Sequence, residues 1–205
     1  MDDYSATGIL WRLAAVLALV FANGFFVAAE FAIVTVRKTR IDQLIAEGHR
    51  GARAVRRAVS DPDSYIAATQ LGITMASIGL GWIGEPALAS MLLPVLDFLP
   101  GQIKVTTAHS VSVAIAFALI TALHIVLGEL APKTMAMERA ETTALIVVKP
   151  TELFMKAFWP FIRLLNGMGQ AVVNLFGMRS TGHAMVHSQA ELKMLVTASQ
   201  EAGVL

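Results

Sequence analysis

The stretch His124-Ile125-Val126-Leu127-Gly128-Glu129-Leu130-Ala131-Pro132-Lys133 closes a long apolar run that begins near Val105. Between Val105 and Gly128 the only ionisable residues are His109 and His124. At ~1.5 Å per residue such a run covers the ~30 Å hydrocarbon layer of a bilayer, so it reads as a transmembrane helix. Its end is unusual. Pro132 has no amide hydrogen, and the helical bond to the Gly128 carbonyl cannot form. Gly128 loosens the same turn. The expectation is a freed, outward-leaning carbonyl beside the Glu129 carboxylate. At membrane depth such a carbonyl is tolerated only where protein, water or an ion satisfies it, and broken helices whose carbonyls hold a cation recur among transporters. The alternative is a helix that simply ends at the interface, with Glu129 solvated and Lys133 snorkelling. His124 lies one turn earlier on the face of Gly128 and reads as a neutral, hydrogen-bonded histidine rather than a ligand.

Two further runs have the same character. The first extends from Gly8 to Val36, interrupted by Arg12, Asn23 and Glu30. The second follows the Asp61-Pro62-Asp63 break, is uncharged from Ser64 to Gly84, and continues past Glu85-Pro86 as a short apolar piece to Leu96. The composition agrees: 56% of the 205 residues are hydrophobic and 15% charged, against about 25% charged in a soluble domain. The fold class expected is therefore an all-α membrane protein. It has spans at about 8–36, 64–84 and 105–128, with short broken or re-entrant pieces, within a transmembrane domain of residues 1–150. A net charge of +1 gives no electrostatic case for nucleic acid, and the absence of cysteine excludes disulfides, thiolate metal sites and cysteine nucleophiles.

Arg37, Lys38, Arg40, Arg50, Arg53, Arg56 and Arg57 crowd the connection between the first two spans, whereas Lys104 stands alone in the next. The positive-inside rule puts residues 37–63 in the cytoplasm, the N-terminus outside and the C-terminus inside, in a cell membrane. Asp2 and Asp3 precede the first run, the wrong sign for a cleaved signal peptide, so the first span is retained. In residues 151–178 the polar residues Glu152, Lys156, Arg163, Asn166, Gln170 and Asn174 fall within an arc of ~80° on a helical wheel. That stripe suits a juxtamembrane amphipathic helix lying in the interface, the alternative being a fourth span with its stripe facing a bundle. Residues 179–205 read as a cytoplasmic helical segment leading to further domains.

Polar groups inside hydrocarbon are expensive, and each is a functional candidate. Asn23 and Glu30 are seven residues apart, on nearly one face, ~10 Å apart along the axis. Asn23 suits either an interhelical hydrogen bond or ion ligation; Glu30, near the cytoplasmic end, suits a structural ion pair or hydrogen bond. On the second span Gln70, Thr74, Ser77 and Gly81 fall within ~60°, while Ala68, Gly72 and Ala76 line the opposite side. One face offers oxygens; the other permits close helix contact. Gly79, Gly81 and Gly84 predict a bend or break before Glu85-Pro86. Amide, hydroxyl, carbonyl and carboxylate oxygens are hard ligands, suited to Mg²⁺, Ca²⁺ or Na⁺ rather than Zn²⁺ or Cu.

Asn23-Gly24-Phe25-Phe26-Val27-Ala28-Ala29-Glu30-Phe31-Ala32, the segments Gln70 to Thr74 and Ser77 to Pro86, and His124 to Lys133 together resemble the transmembrane domain of the CorC/CNNM family. The resemblance covers approximately residues 5–180. It implies a Mg²⁺ transporter, with efflux coupled to Na⁺, working as a homodimer through the membrane domain. It also implies metal ligands at Asn23, Ser77, the Gly128 carbonyl and Glu129, with Thr74 a further candidate. Family members continue into paired CBS nucleotide-binding domains, through which alone ATP would act. The competing readings are a membrane-embedded Mg²⁺ sensor or regulatory anchor that does not itself transport, and an intramembrane enzyme. Against the enzyme, neither His-Glu-x-x-His nor Gly-x-Ser-x-Gly occurs.

Overall fold

The computed structural model describes residues 6–92 and 104–177, all of whose regular elements are helical. In chain order these are α1 (Ala6–Thr35), α2 (Lys38–Ala46), α3 (Ala52–Ser60), α4 (Pro62–Gly79), α5 (Glu85–Leu92), α6 (Lys104–Leu123), α7 (Ala131–Glu138), α8 (Ala140–Ala157) and α9 (Trp159–Leu175). π-helical turns at Leu80–Gly84 and His124–Leu130 join α4 to α5 and α6 to α7. The chain divides into two units, one ending at Leu165 and the other beginning at Asn166.

Among the described residues three helical runs are long and apolar enough to cross a membrane: Leu10–Thr35, Pro62–Met91 and Ser110–Glu138. In hydrocarbon every backbone amide must bond within its own segment, which an unbroken helix achieves. The large apolar side chains left exposed, among them Phe21, Ile78, Trp82, Phe117 and Val126, are the ones that lipid would cover. Both expected interruptions are gentler than the sequence suggested. Gly79, Gly81 and Gly84 produce a π turn, and α5 carries the second run onward. The third run does not stop at Gly128, because the π turn takes up the proline: the Ala131 amide bonds to the Val126 carbonyl, five residues back, and α7 begins with Pro132 in its first turn.

The first two spans pack through the small-residue side of α4. Ala68 and Ala76 are buried, and a Cβ on Gly72 would lie 2.5 Å from the Phe26 ring. That ring also meets Phe154 of α8 in a tilted contact, with centroids 4.7 Å apart and planes at 58°. Toward the other end, Val16 and Val20 meet Leu80 and Ile120 in a second core, and Arg12 bonds the Ser90 hydroxyl. α4 starts cleanly: Asp61 accepts from the Ser64 amide, and Pro62 occupies the first turn, where its missing amide costs nothing.

The basic connection folds as a helical hairpin. Gly48 and Gly51 take left-handed φ of 77° and 97°, a geometry that disfavours side chains, so α2 ends and α3 begins within a few residues. Ile41, Leu44, Val55 and Ala58 of the hairpin join Ile33, Val36, Ala144 and Val148 in the largest core. Ion pairs ring it: Arg56–Asp42 at 2.7 Å, Arg57–Glu152 at 2.8 Å and Arg40–Glu141 at 3.2 Å.

Residues 151–178 are not one helix. Thr151 to Ala157 end α8, the chain leaves helical geometry at Phe158 (φ −101°, ψ 12°), and α9 follows. Within the first unit Ile162 of α9 packs on Ala68 and Leu71. Within the second, Gln170 donates to Asn174 at 3.1 Å. The helical segment expected over 179–205 and the end of the apolar piece reaching Leu96 lie outside the described residues.

Candidate functional site

α1 carries Asn23 thirteen residues after Leu10 and twelve before Thr35, so about 18–20 Å from either end of its apolar run. The side chain is 1% exposed. Its amide nitrogen Nδ2 donates to the Gly128 carbonyl at 2.9 Å, joining the first span to the third. Its Oδ1 accepts from the Ser77 hydroxyl at 3.2 Å, joining the first span to the second. Three helices thus meet at one amide.

Ser77 Oγ lies a further 3.2 Å from His124 Nε2. A hydroxyl has one hydrogen. With that hydrogen given to Asn23, His124 must carry its proton on Nε2 and donate to Ser77, a tautomer assigned from the network. The chain of donors runs His124 to Ser77 to Asn23 to the Gly128 carbonyl. In that direction the imidazole is not a base acting on the serine.

Gly128 is required by this closeness. A Cβ there would sit 2.9 Å from His124 Cδ2 and 3.0 Å from Asn23 Nδ2. Gly24, one residue after Asn23, has the same constraint: a Cβ would lie 2.9 Å from Pro132 Cγ and 3.1 Å from the Leu127 carbonyl oxygen. The proline ring therefore packs directly on α1. Beyond it Lys133 extends over the Phe31 ring, 4.6 Å from the centroid, a cation–π contact with α1.

Of the five ligand candidates, the structure brings together Asn23, Ser77 and Gly128. Glu129 follows Gly128 in sequence with its side chain exposed. Thr74 is also exposed, one turn before Ser77, as is Gln70; no hydrogen bond joins either to the cluster. The oxygen-bearing side of α4 is therefore split, with Ser77 turned inward and the other two outward. Glu30 is half-buried and faces Thr69 of α4 rather than a cation. His124 is the member that sequence reasoning set aside. Its position four residues before Gly128, on the same face, was the available signal.

Chemically the cluster offers an amide oxygen, a hydroxyl, a backbone carbonyl and one imidazole, with a single carboxylate alongside. Among the described residues no group of three or more His, Cys, Asp or Glu is gathered as a metal site. A cation here would be held mainly by neutral oxygens, which suits hard ions and leaves ligand positions for water. In the arrangement described, the amide of Asn23 occupies the Gly128 carbonyl. Rotating the amide by half a turn would put Oδ1 beside that carbonyl and present two oxygens to one point.

Comparison with known proteins is consistent with this architecture. The family described as the cyclin M transmembrane N-terminal domain matches residues 13–205. The UPF0053 protein YhdT of Bacillus subtilis (strain 168) is 45% identical over 204 residues, covering 99% of this chain and 42% of that protein. YrkA of the same organism is 42% identical over 186 residues, 90% of this chain and 42% of its own length. The UPF0053 protein sll0260 of Synechocystis is 32% identical over 190 residues, with 93% and 42% covered. The chain spans less than half the length of these relatives.

Proposed function

We propose, from the premise that this chain belongs to the cyclin M transmembrane N-terminal domain family, that it carries a hard metal cation, Mg²⁺, across the bilayer. The observation that supports this most directly is the Asn23 amide, bonded at once to the Gly128 carbonyl and to Ser77 near the middle of three apolar helices. Polar groups at that depth cost free energy and mark ion pathways, and helices interrupted at the membrane centre are where transporters hold their ions. The π turn at His124–Leu130 is a milder departure from the same regular helix, one that leaves the Gly128 carbonyl to Asn23.

In the proposed mechanism Asn23 Oδ1, Ser77 Oγ and the Gly128 carbonyl supply neutral ligands, Glu129 supplies the compensating charge, and Thr74 is a peripheral ligand on the approach. Mg²⁺ prefers near-octahedral oxygens at ~2.1 Å and keeps several waters, so a site of three or four protein oxygens is sufficient. Gly79 beside the first π turn and Gly81 and Gly84 within it let the second span shift against α1, opening the site alternately to the two sides. Efflux coupled to Na⁺, a homodimer formed through the membrane domain, and a cell-membrane topology with the α2–α3 hairpin in the cytoplasm complete the reading. ATP would act only through CBS domains of a longer chain. The protein is proposed to be no enzyme.

A second reading has its own support: the cluster is internally satisfied, as interhelical hydrogen bonds that only hold spans together are. Mg²⁺ flux into proteoliposomes separates the two. Asn23→Ala and Glu129→Ala are expected to slow flux by at least about tenfold, equivalent to ~1.4 kcal/mol. Parental flux in both variants would remove these residues from the site. Mg²⁺ binding to purified protein without any flux would select the sensor or anchor instead.

A further inference from the structure

We propose that the basic concavity between the α2–α3 turn and α8 holds the phosphate headgroup of an anionic phospholipid, whose acyl chains lie along α8. The hollow has a volume of about 360 Å³ and is lined by His49, Arg50, Arg53, Arg57 and Lys149. Most other cations of the hairpin are already neutralised. Arg40 has Glu141, Arg56 has Asp42, and Arg57 has Glu152. The nearest acid in the turn, Glu47, is shared between Arg40 and His49 at 3.8 Å each. Arg50, Arg53 and Lys149 pair with no acid among the described residues and are exposed. Three unneutralised cations around one hollow repel each other, and an anion in their midst removes that cost.

The identity of the anion follows from what borders the charges. Ile146 and Leu153 of α8 are 67% and 71% exposed. They stand three residues before and four after Lys149, so the three side chains fall within an arc of ~60°. A soluble phosphate has no use for apolar neighbours on the same face. A lipid does, since its chains cover Ile146 and Leu153 while its headgroup meets the lysine and arginines. The hairpin starts at Lys38, just past the apolar run that ends at Thr35. Basic groups immediately beyond a span attract anionic headgroups, at about 1 kcal/mol each. This inference uses the membrane location of the chain and does not depend on whether it transports an ion.

The test is lipid retention by the detergent-purified protein, comparing phosphatidylglycerol with phosphatidylcholine by native mass spectrometry. The unmutated protein is expected to keep phosphatidylglycerol preferentially. Arg50→Gln/Arg53→Gln/Lys149→Gln should lower that preference by at least about fivefold, while Arg56→Gln, whose cation faces Asp42, should leave it unchanged. Ile146→Ser/Leu153→Ser should weaken lipid retention as well. Should the triple variant unfold, raising salt to about 0.5 M on the unmutated protein is the substitute, because exposed cations are then screened and the preference should vanish. An unchanged preference in the triple variant, or a preference that persists in high salt, overturns the proposal. So does inorganic phosphate displacing the lipid at equal concentration, which would mark a site for a soluble anion.

Discussion

Asn23 Nδ2 lies 2.9 Å from the carbonyl oxygen of Gly128, and the two residues are 105 positions apart in the chain. The proline four residues after Gly128 explains why the carbonyl is available, and the side chain on α1 explains why it is not left unsatisfied. A buried carbonyl without a partner would cost about 1–3 kcal/mol. The interruption of the third span and the polar residue in the first are thus two halves of one arrangement, which neither helix could hold alone.

Asn23→Leu removes both bonds while keeping the branching and the number of side-chain heavy atoms. The Gly128 carbonyl loses its partner and Ser77 keeps only His124, so a loss of about 1–2 kcal/mol is expected. Thermal unfolding in detergent measures it; an unshifted midpoint would mean that the amide contributes nothing to holding the spans.

Asn23→Asp separates glue from ligand. The carboxylate keeps the oxygens but loses the donor, so it faces the Gly128 carbonyl as one acceptor against another. Without Mg²⁺ the variant is expected to be less stable than the parent. With Mg²⁺ it should recover most of that loss, because a cation between the two oxygens replaces the missing hydrogen. A midpoint insensitive to Mg²⁺ would argue against a cation at this position.

Gly128→Ala should destabilise by about 1–3 kcal/mol, since its Cβ overlaps His124 and Asn23. Gly81→Ala is the matched control. A Cβ at Gly81 meets nothing within 4 Å, and the gain of up to ~1 kcal/mol in helix propensity makes it neutral or slightly stabilising. Equal unfolding midpoints for the two variants would contradict the packing described.

Gly72→Ala forces a methyl group into the Phe26 ring at 2.5 Å. Because that ring is held against Phe154 at 4.7 Å, it has little room to yield, and a cost of about 1–3 kcal/mol is expected. Phe26→Leu frees space beside α4, so the double variant should be more stable than the sum of the two losses. A thermodynamic cycle on the four proteins gives the coupling directly.

The three long apolar helices were legible because uninterrupted apolar length is a physical requirement of crossing a bilayer. The small side of α4 was legible for a similar reason: Ala68, Gly72 and Ala76 recur at helical spacing, and only close packing rewards that pattern. Asn23 and Ser77 stood out because hydrocarbon penalises their polar side chains, and Gly128 because Pro132 cannot donate to its carbonyl. What escaped was local. The π turns have no single-residue signature, so the third run was expected to end at Gly128 when it continues to Glu138. Thr74 and Gln70 share a helical arc with Ser77, yet an arc of ~60° is wide enough for one residue to turn inward while its neighbours stay outside. The basic connection hid its hairpin because charge dominated its reading. Ile41, Leu44, Val55 and Ala58 at helical spacing, with Gly48 and Gly51 between them, were the overlooked pattern.

The widened turn from His124 to Leu130 also sets the rules for length variation in the third helix. A turn bonded five residues back carries one residue more than an α-helical one. Removing a residue there lets the helix close up, and the halves on either side keep their orientation. Removing one from 110–123 instead turns everything beyond it by about 100°, swinging His124 away from Ser77 and Pro132 away from Gly24. The turn is an expansion joint, and shortening at any other point would take the helix out of alignment with its neighbours.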